Sequence, residues 1–100
     1  MLNLVPSKKF LKDIEKFKTM PKLRKKISKT LSFFEDNPMH PGLNIERIVN
    51  DHMAWSARID KHYRISFEPE TFLESGIPDW SSNIILLRML DHDDLYKYPR

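Results

Sequence analysis

Hydrophobic residues along this chain follow two different periods, and the change between them organises everything else. Leu2–Val5 alternates apolar and polar, as a short edge strand does, and Pro6 ends it. Ser7 is a good helix N-cap, and Phe10, Leu11, Ile14 and Phe17 then recur at the three-to-four spacing of an amphipathic helix over Ser7–Lys18. Thr19-Met20-Pro21 breaks that helix, and a proline is tolerated in the first turn of the next. The second helix is predicted over Pro21–Glu35, with Leu23, Ile27, Leu31 and Phe34 on one stripe. Asp36-Asn37-Pro38 ends it. From there the period falls to two. Leu43–Val49, Met53–Ile59, Tyr63–Phe67 and Asn83–Leu90 read as strands, with turns at Asn50–His52 and Asp60–His62. Glu68–Ser82 reads as a loop of unusual length, the kind that tends to be functional or mobile. Asp91–Tyr96 closes the chain as a turn or one helical turn.

Two amphipathic helices joined by a short link form an antiparallel hairpin with one apolar side to cover. The expected class is α+β. An N-terminal strand and the helical hairpin pack on a curved, mainly antiparallel sheet of four to five strands, and residues 1–100 form one domain.

Composition narrows the class. Hydrophobic residues are 40% and charged residues 31% of 100 residues, so the chain is neither a disordered tail nor a membrane span. The longest apolar run is Ile84–Leu87, and no cleavable apolar leader follows Met1, so a soluble cytoplasmic protein is expected. Cysteine is absent, which removes disulfides and thiolate chemistry. The histidines His40, His52, His62 and His92 show no helical zinc spacing, and only two glycines are present, so neither a metal nor a cofactor is expected.

Charge is partitioned more sharply than the net +3 suggests. Residues 1–29 carry ten Lys and Arg against Asp13 and Glu15, a net +8, and the remainder is net −5. Such a basic half suits a polyanion, although lysine-rich helices also arise simply as solvated faces.

Candidate chemistry sits on the strands and at the last strand's exit. Arg58, Arg64 and Arg88 are embedded in apolar strand sequence, where a guanidinium is costly unless it faces water or meets an anion. All three can converge on the exposed sheet face to meet an anion, although Arg58 and Arg64 can instead pair with carboxylates such as Asp60 and Glu68. His92 and Tyr96 share a side if Asp91–Tyr96 is helical. Imidazole, phenol and guanidinium together suffice to cleave RNA without a metal: a base takes the 2′-hydroxyl proton, arginine stabilises the crowded phosphorane, and an acid protonates the departing 5′-oxygen. The competing roles are plain ones. His92 caps a turn, Tyr96 packs through its ring, and Trp55 and Trp80 belong either to the core or to a base-stacking surface.

In order and spacing these segments resemble the RelE/ParE toxin superfamily of bacterial toxin–antitoxin modules. The likeness runs from Ser7–Lys18 and the lysine-rich second helix through His40-Pro41-Gly42-Leu43 and the hairpin Ser56-Ala57-Arg58 … Tyr63-Arg64-Ile65-Ser66-Phe67 to His92-Asp93-Asp94-Leu95-Tyr96. The resemblance implies a toxin that cleaves mRNA in the ribosomal decoding site without a metal, is silenced by a cognate antitoxin, and meets operator DNA only through that antitoxin. By position it implies a phosphate-holding Arg64, a second basic position at Arg58, and acid/base and positioning roles for His92 and Tyr96. His40 matches a loop histidine used by some branches. Lys22, Lys25, Lys26 and Lys29, with Arg88, are the expected nucleic-acid contacts. Trp55 and Ala57 stand where RelE-like enzymes often carry paired lysines, and the Glu68–Ser82 connection is longer than a plain hairpin. The ParE branch shares the fold but poisons DNA gyrase and cuts no RNA; a catalytically inert RNA-binding or structural homologue is the third alternative.

Overall fold

The computed structural model describes residues 3–100. In chain order the elements are β1 (Asn3–Pro6), α1 (Lys8–Glu15), α2 (Pro21–Asp36), a single 3₁₀ turn at Pro41–Leu43, β2 (Glu46–Ile48), β3 (Asp51–Arg58), β4 (Tyr63–Pro69), β5 (Asn83–Asp91) and α3 (His92–Lys97). The five strands form one sheet in the order β1-β5-β4-β3-β2, parallel between β1 and β5 and antiparallel elsewhere. This is the α+β architecture expected from the periodicities. Leu2, the expected start of the first strand, lies outside the described residues.

The helix-facing side of the sheet holds the main core. Phe10 from α1 and Leu23, Ile27 and Phe34 from α2 meet Ala57, Ile65, Phe67, Ile84, Leu86 and Met89 from β3, β4 and β5. Phe34 and Phe67 meet edge to face at 4.7 Å between centroids. Alternation then turns Ala54, Ser56, Arg58, Arg64 and Ser66 to the opposite face. There Ile48, Ala54 and Leu87 form a second small cluster, with Ile85 and Tyr96 packed against it.

The first helix is fastened to the sheet edge rather than only laid on it. Pairing of β1 with β5 ends at Pro6↔Leu86, since proline cannot extend a ladder. Ser7 takes over: its N–H donates to the Leu86 carbonyl, and its hydroxyl donates to the Leu87 carbonyl at 3.0 Å while accepting from Phe10 N–H. One turn on, the buried carboxylate of Asp13 accepts from the Met89 N–H at 3.0 Å. The same carboxylate takes two bonds from Arg88, at 2.7 and 3.0 Å. That hydrogen bonding holds the Arg88 guanidinium above its ordinary pKa.

Several boundaries differ from the sequence expectation. The first helix, expected to reach Lys18, ends at Glu15, and residues 16–19 form turns that bond three residues back. The Leu43–Val49 strand shrinks to Glu46–Ile48, because Pro41-Gly42-Leu43 winds into a 3₁₀ turn that buries Leu43, and Asn44 adopts left-handed backbone at φ 45° and ψ 55°. β3 begins at Asp51, so the turn is Val49-Asn50; a register shift between Arg47 and Ile48 absorbs the difference. The long connection is partly ordered by a small antiparallel bridge, Phe72↔Pro78, closed around Gly76 at φ +82°. Among the described residues, no helix is long and apolar enough to cross a membrane.

Candidate catalytic hollow

The antiparallel register of β3 and β4 sets Arg58 directly opposite Arg64 on the face away from α1 and α2. Two like charges in that relation repel, which suits a site waiting for an anion. Their environments differ. Arg64 is buried: its Nε–H donates to Ser56 Oγ at 3.0 Å, one terminal nitrogen donates to the Asn44 carbonyl at 2.7 Å, and Glu46 lies 4.0 Å away. The Arg58 side chain is exposed and makes no hydrogen bond or ion pair among the described residues.

The strand exit closes the site. Asp91 caps α3 by accepting from Asp94 N–H at 2.9 Å, and the His92 N–H donates to the His62 carbonyl at 2.7 Å, tying the helix start to the β3–β4 turn. One helical turn separates His92 from Tyr96, so their rings meet at 4.8 Å between centroids. The Tyr96 hydroxyl donates to Glu46 Oε2 at 2.9 Å and lies 3.0 Å from Ser56 Oγ. A chain of polar groups therefore runs Arg64–Ser56–Tyr96–Glu46, with the His92 imidazole beside it. Arg58, Arg64, Glu46, Asn44 and His92, with Asp60 and Lys61, line one hollow of about 290 Å³.

The β3–β4 turn holds the cationic rim. Burial raises the Asp60 pKa, but N–H donors of His62 and Tyr63, both at 2.8 Å, and the Lys26 ammonium at 3.4 Å outweigh it, leaving the carboxyl below its usual value. Lys26 of α2 is thereby brought to the edge of the hollow. Lys22, Lys25 and Lys29 stay on the exposed surface of α2, Lys29 lying over the Phe33 ring at 5.5 Å.

Two expected contacts fall elsewhere. Arg88, expected as a nucleic-acid contact, is held by Asp13 at the β5–α1 junction and lines none of this hollow. The physical reason is the end of β1 at Pro6, which leaves the Met89 N–H and the Arg88 side chain to be satisfied by α1. His40 is likewise set apart. Its Nδ1 accepts from Gly42 N–H at 3.0 Å and its ring stacks on Phe33 at 4.6 Å, so it caps the 3₁₀ turn. A Cβ on Gly42 would come to 3.0 Å from that ring, so any larger residue there would require the imidazole to shift. The side chain of His52 lies outside the described residues, and His62 borders a neighbouring hollow with His92.

Sequence reasoning missed Glu46 and Ser56. Both were visible as polar residues within strands, but only the β2–β3–β4 register brings them to Arg64, and nothing in the sequence announces it.

No family model and no curated protein matches the sequence. Solved structures do. The chain superposes on the YoeB/ParE toxin from Agrobacterium tumefaciens with a TM-score of 0.68 and 16% identity, over 90% of this chain and 98% of that one. YafQ from E. coli strain BL21(DE3) gives 0.69 and 11%, over 95% and 98%. The YoeB dimer from Staphylococcus aureus gives 0.64 and 21%, over 91% and 97%. The chain therefore has the fold of the RelE/ParE toxin superfamily, as its order of motifs led one to expect.

Proposed function

We propose that the protein is the toxin of a type II toxin–antitoxin module and a metal-independent endoribonuclease acting on mRNA in the ribosomal decoding site. The observation that carries this reading is the meeting of Arg58, Arg64, Glu46 and His92 in one shallow hollow. Support for an antitoxin partner comes from a structural neighbour at TM-score 0.67 and 12% identity, solved as the E. coli DinJ–YafQ complex.

In this reading the scissile phosphate lies against the free guanidinium of Arg58, with the buried charge of Arg64 beneath it. Glu46, half-exposed, takes the proton of the ribose 2′-hydroxyl, and that oxygen attacks the adjacent phosphorus. The P–O5′ bond breaks, and His92, also half-exposed, gives its proton to the departing oxygen. The products are a 2′,3′-cyclic phosphate and a 5′-hydroxyl. Tyr96 is a positioning residue, since its hydroxyl bridges Glu46 and Ser56 and its ring supports His92. Arg64 serves as a fixed buried charge, its Nε and one terminal nitrogen taken by Ser56 and Asn44, rather than as the direct phosphate clamp that the resemblance implied.

Expression in a bacterial host tests the reading. The wild-type chain should arrest growth with ribosome-dependent mRNA cleavage, and His92→Ala or Arg58→Ala should relieve the arrest in folded protein. Arrest accompanied by DNA damage, and unaltered by His92→Ala, would instead identify a gyrase poison. Unimpaired growth would identify an inert homologue.

A further inference from the structure

A second concavity, about 640 Å³ and largely apolar, opens on the helix-facing side of the sheet at its β2 edge, and Asn44 lines both it and the hollow on the opposite face. Trp55 of β3 and Trp80 of the 70–82 connection form its walls, 6.0 Å apart and edge to face, and the Arg47 guanidinium lies over the Trp55 ring at 5.0 Å. Ile77, more than half exposed, stands at its mouth. Trp55 Nε1 is the one buried side-chain polar atom without a partner among the described residues. The side-chain amide of exposed Asn44 also makes no hydrogen bond there, although its backbone N–H donates to Pro41 and its backbone carbonyl is taken by Arg64.

We propose that this groove receives a nucleobase of single-stranded RNA, the base next to the phosphate held at Arg58, and that Asn44 reads its edge. The inference rests on the function proposed above and extends it to substrate selection. Unpaired bases are typically recognised by stacking on aromatic rings and guanidinium planes while an amide takes their hydrogen-bonding edge. Trp80, Trp55 with Arg47, and Asn44 supply those three elements. RNA is favoured over an apolar peptide because Asn44, at the β2 edge, lines both the groove and the cationic hollow, so a strand passing round that edge meets both. The left-handed backbone at Asn44 suits the same division of labour: the carbonyl is committed to Arg64 while the exposed side chain is left for a ligand.

The only two tryptophans of the chain both line the groove, so their emission reports on it directly. The intact protein is titrated with short single-stranded RNAs of each base, following tryptophan emission and the anisotropy of an RNA label. Expected is quenching in step with anisotropy, stronger for one base than for the others. Ile77→Glu sets a carboxylate at the exposed mouth without touching the core and should weaken binding about 5- to 150-fold, the range that base–aromatic stacking supports. Asn44→Gly keeps the left-handed backbone and the carbonyl to Arg64 but removes the amide, and should flatten the base preference. Both variants should also shift the cleavage positions mapped on ribosome-bound mRNA.

Anisotropy that rises while emission stays constant would overturn the groove assignment and leave the catalytic reading standing. So would an unchanged cleavage pattern in both variants. Quenching by an antitoxin peptide but by no RNA would make the groove a protein-docking site. Failure of RNA binding together with failure of ribosome-dependent cleavage would remove both readings.

Discussion

Arg58 and Arg64 face each other across one pair of strands, yet burial gives them different work. Arg64 is anchored through Ser56 and Asn44, and its removal leaves buried partners unsatisfied. Arg64→Ala should cost about 2–4 kcal/mol in denaturant unfolding as well as activity. Arg58 touches no partner, so Arg58→Ala should abolish cleavage while leaving stability within about 0.5 kcal/mol of the parent. Asp60 supplies a pH test at the rim. Its folded-state pKa is depressed, so the stability it contributes is fully present above the unfolded value of about 3.9 and is lost as pH falls through the folded value. Asp60→Ala should therefore be about 1–2 kcal/mol less stable than wild type at pH 7 by urea denaturation, with the gap closing as the pH drops below about 4. An equal gap at pH 7 and pH 3 would contradict the assignment.

At the scale of elements, Ser7, Asp13 and Arg88 join α1 to β5 where β1 ends. Arg88→Leu leaves the Asp13 carboxylate buried beside the Met89 N–H alone, and should cost about 3 kcal/mol. Replacing both, with Asp13→Leu, should recover part of that stability, measured as a double-mutant cycle in urea. Arg88 also marks the limit of what periodicity reveals. Embedded in Ile84–Leu90, it reads as an arginine on an open sheet face, and Asp13 reads as one acid among lysines. Their pairing spans seventy-five positions of sequence and depends on where Pro6 ends a strand. The helices, the β3–β4 hairpin and the His92/Tyr96 turn were legible because each rests on local spacing. Asn44, Glu46 and Ser56 were not, since the 3₁₀ turn at Pro41–Leu43 and the register shift at Arg47/Ile48 decide which way they face.

Over the whole molecule, one sheet face is spent on the core and the other carries the candidate hollow beside a small apolar cluster. The C-terminal residues keep part of that second face closed. Ser66 donates to the Pro99 carbonyl at 2.7 Å, and Arg100 reaches Asp51 and Glu68, which hold its guanidinium far above the ordinary pKa. The basic surface of α2 meets the hollow where Lys26 pairs with Asp60, so a polyanion lying along Lys22, Lys25 and Lys29 is led toward Arg58. Charge reversal at those three lysines should weaken RNA association and leave base preference unchanged. The slope of log affinity against log salt should fall by about one for each phosphate that is no longer neutralised. The most direct measurement of the central claim is the chemistry of the RNA ends made by purified protein on mRNA-programmed ribosomes. Strand breaks carrying a 2′,3′-cyclic phosphate and a 5′-hydroxyl, abolished in both Glu46→Ala and His92→Ala, are the predicted result. Intact mRNA, or cleavage that persists in both variants, would contradict it.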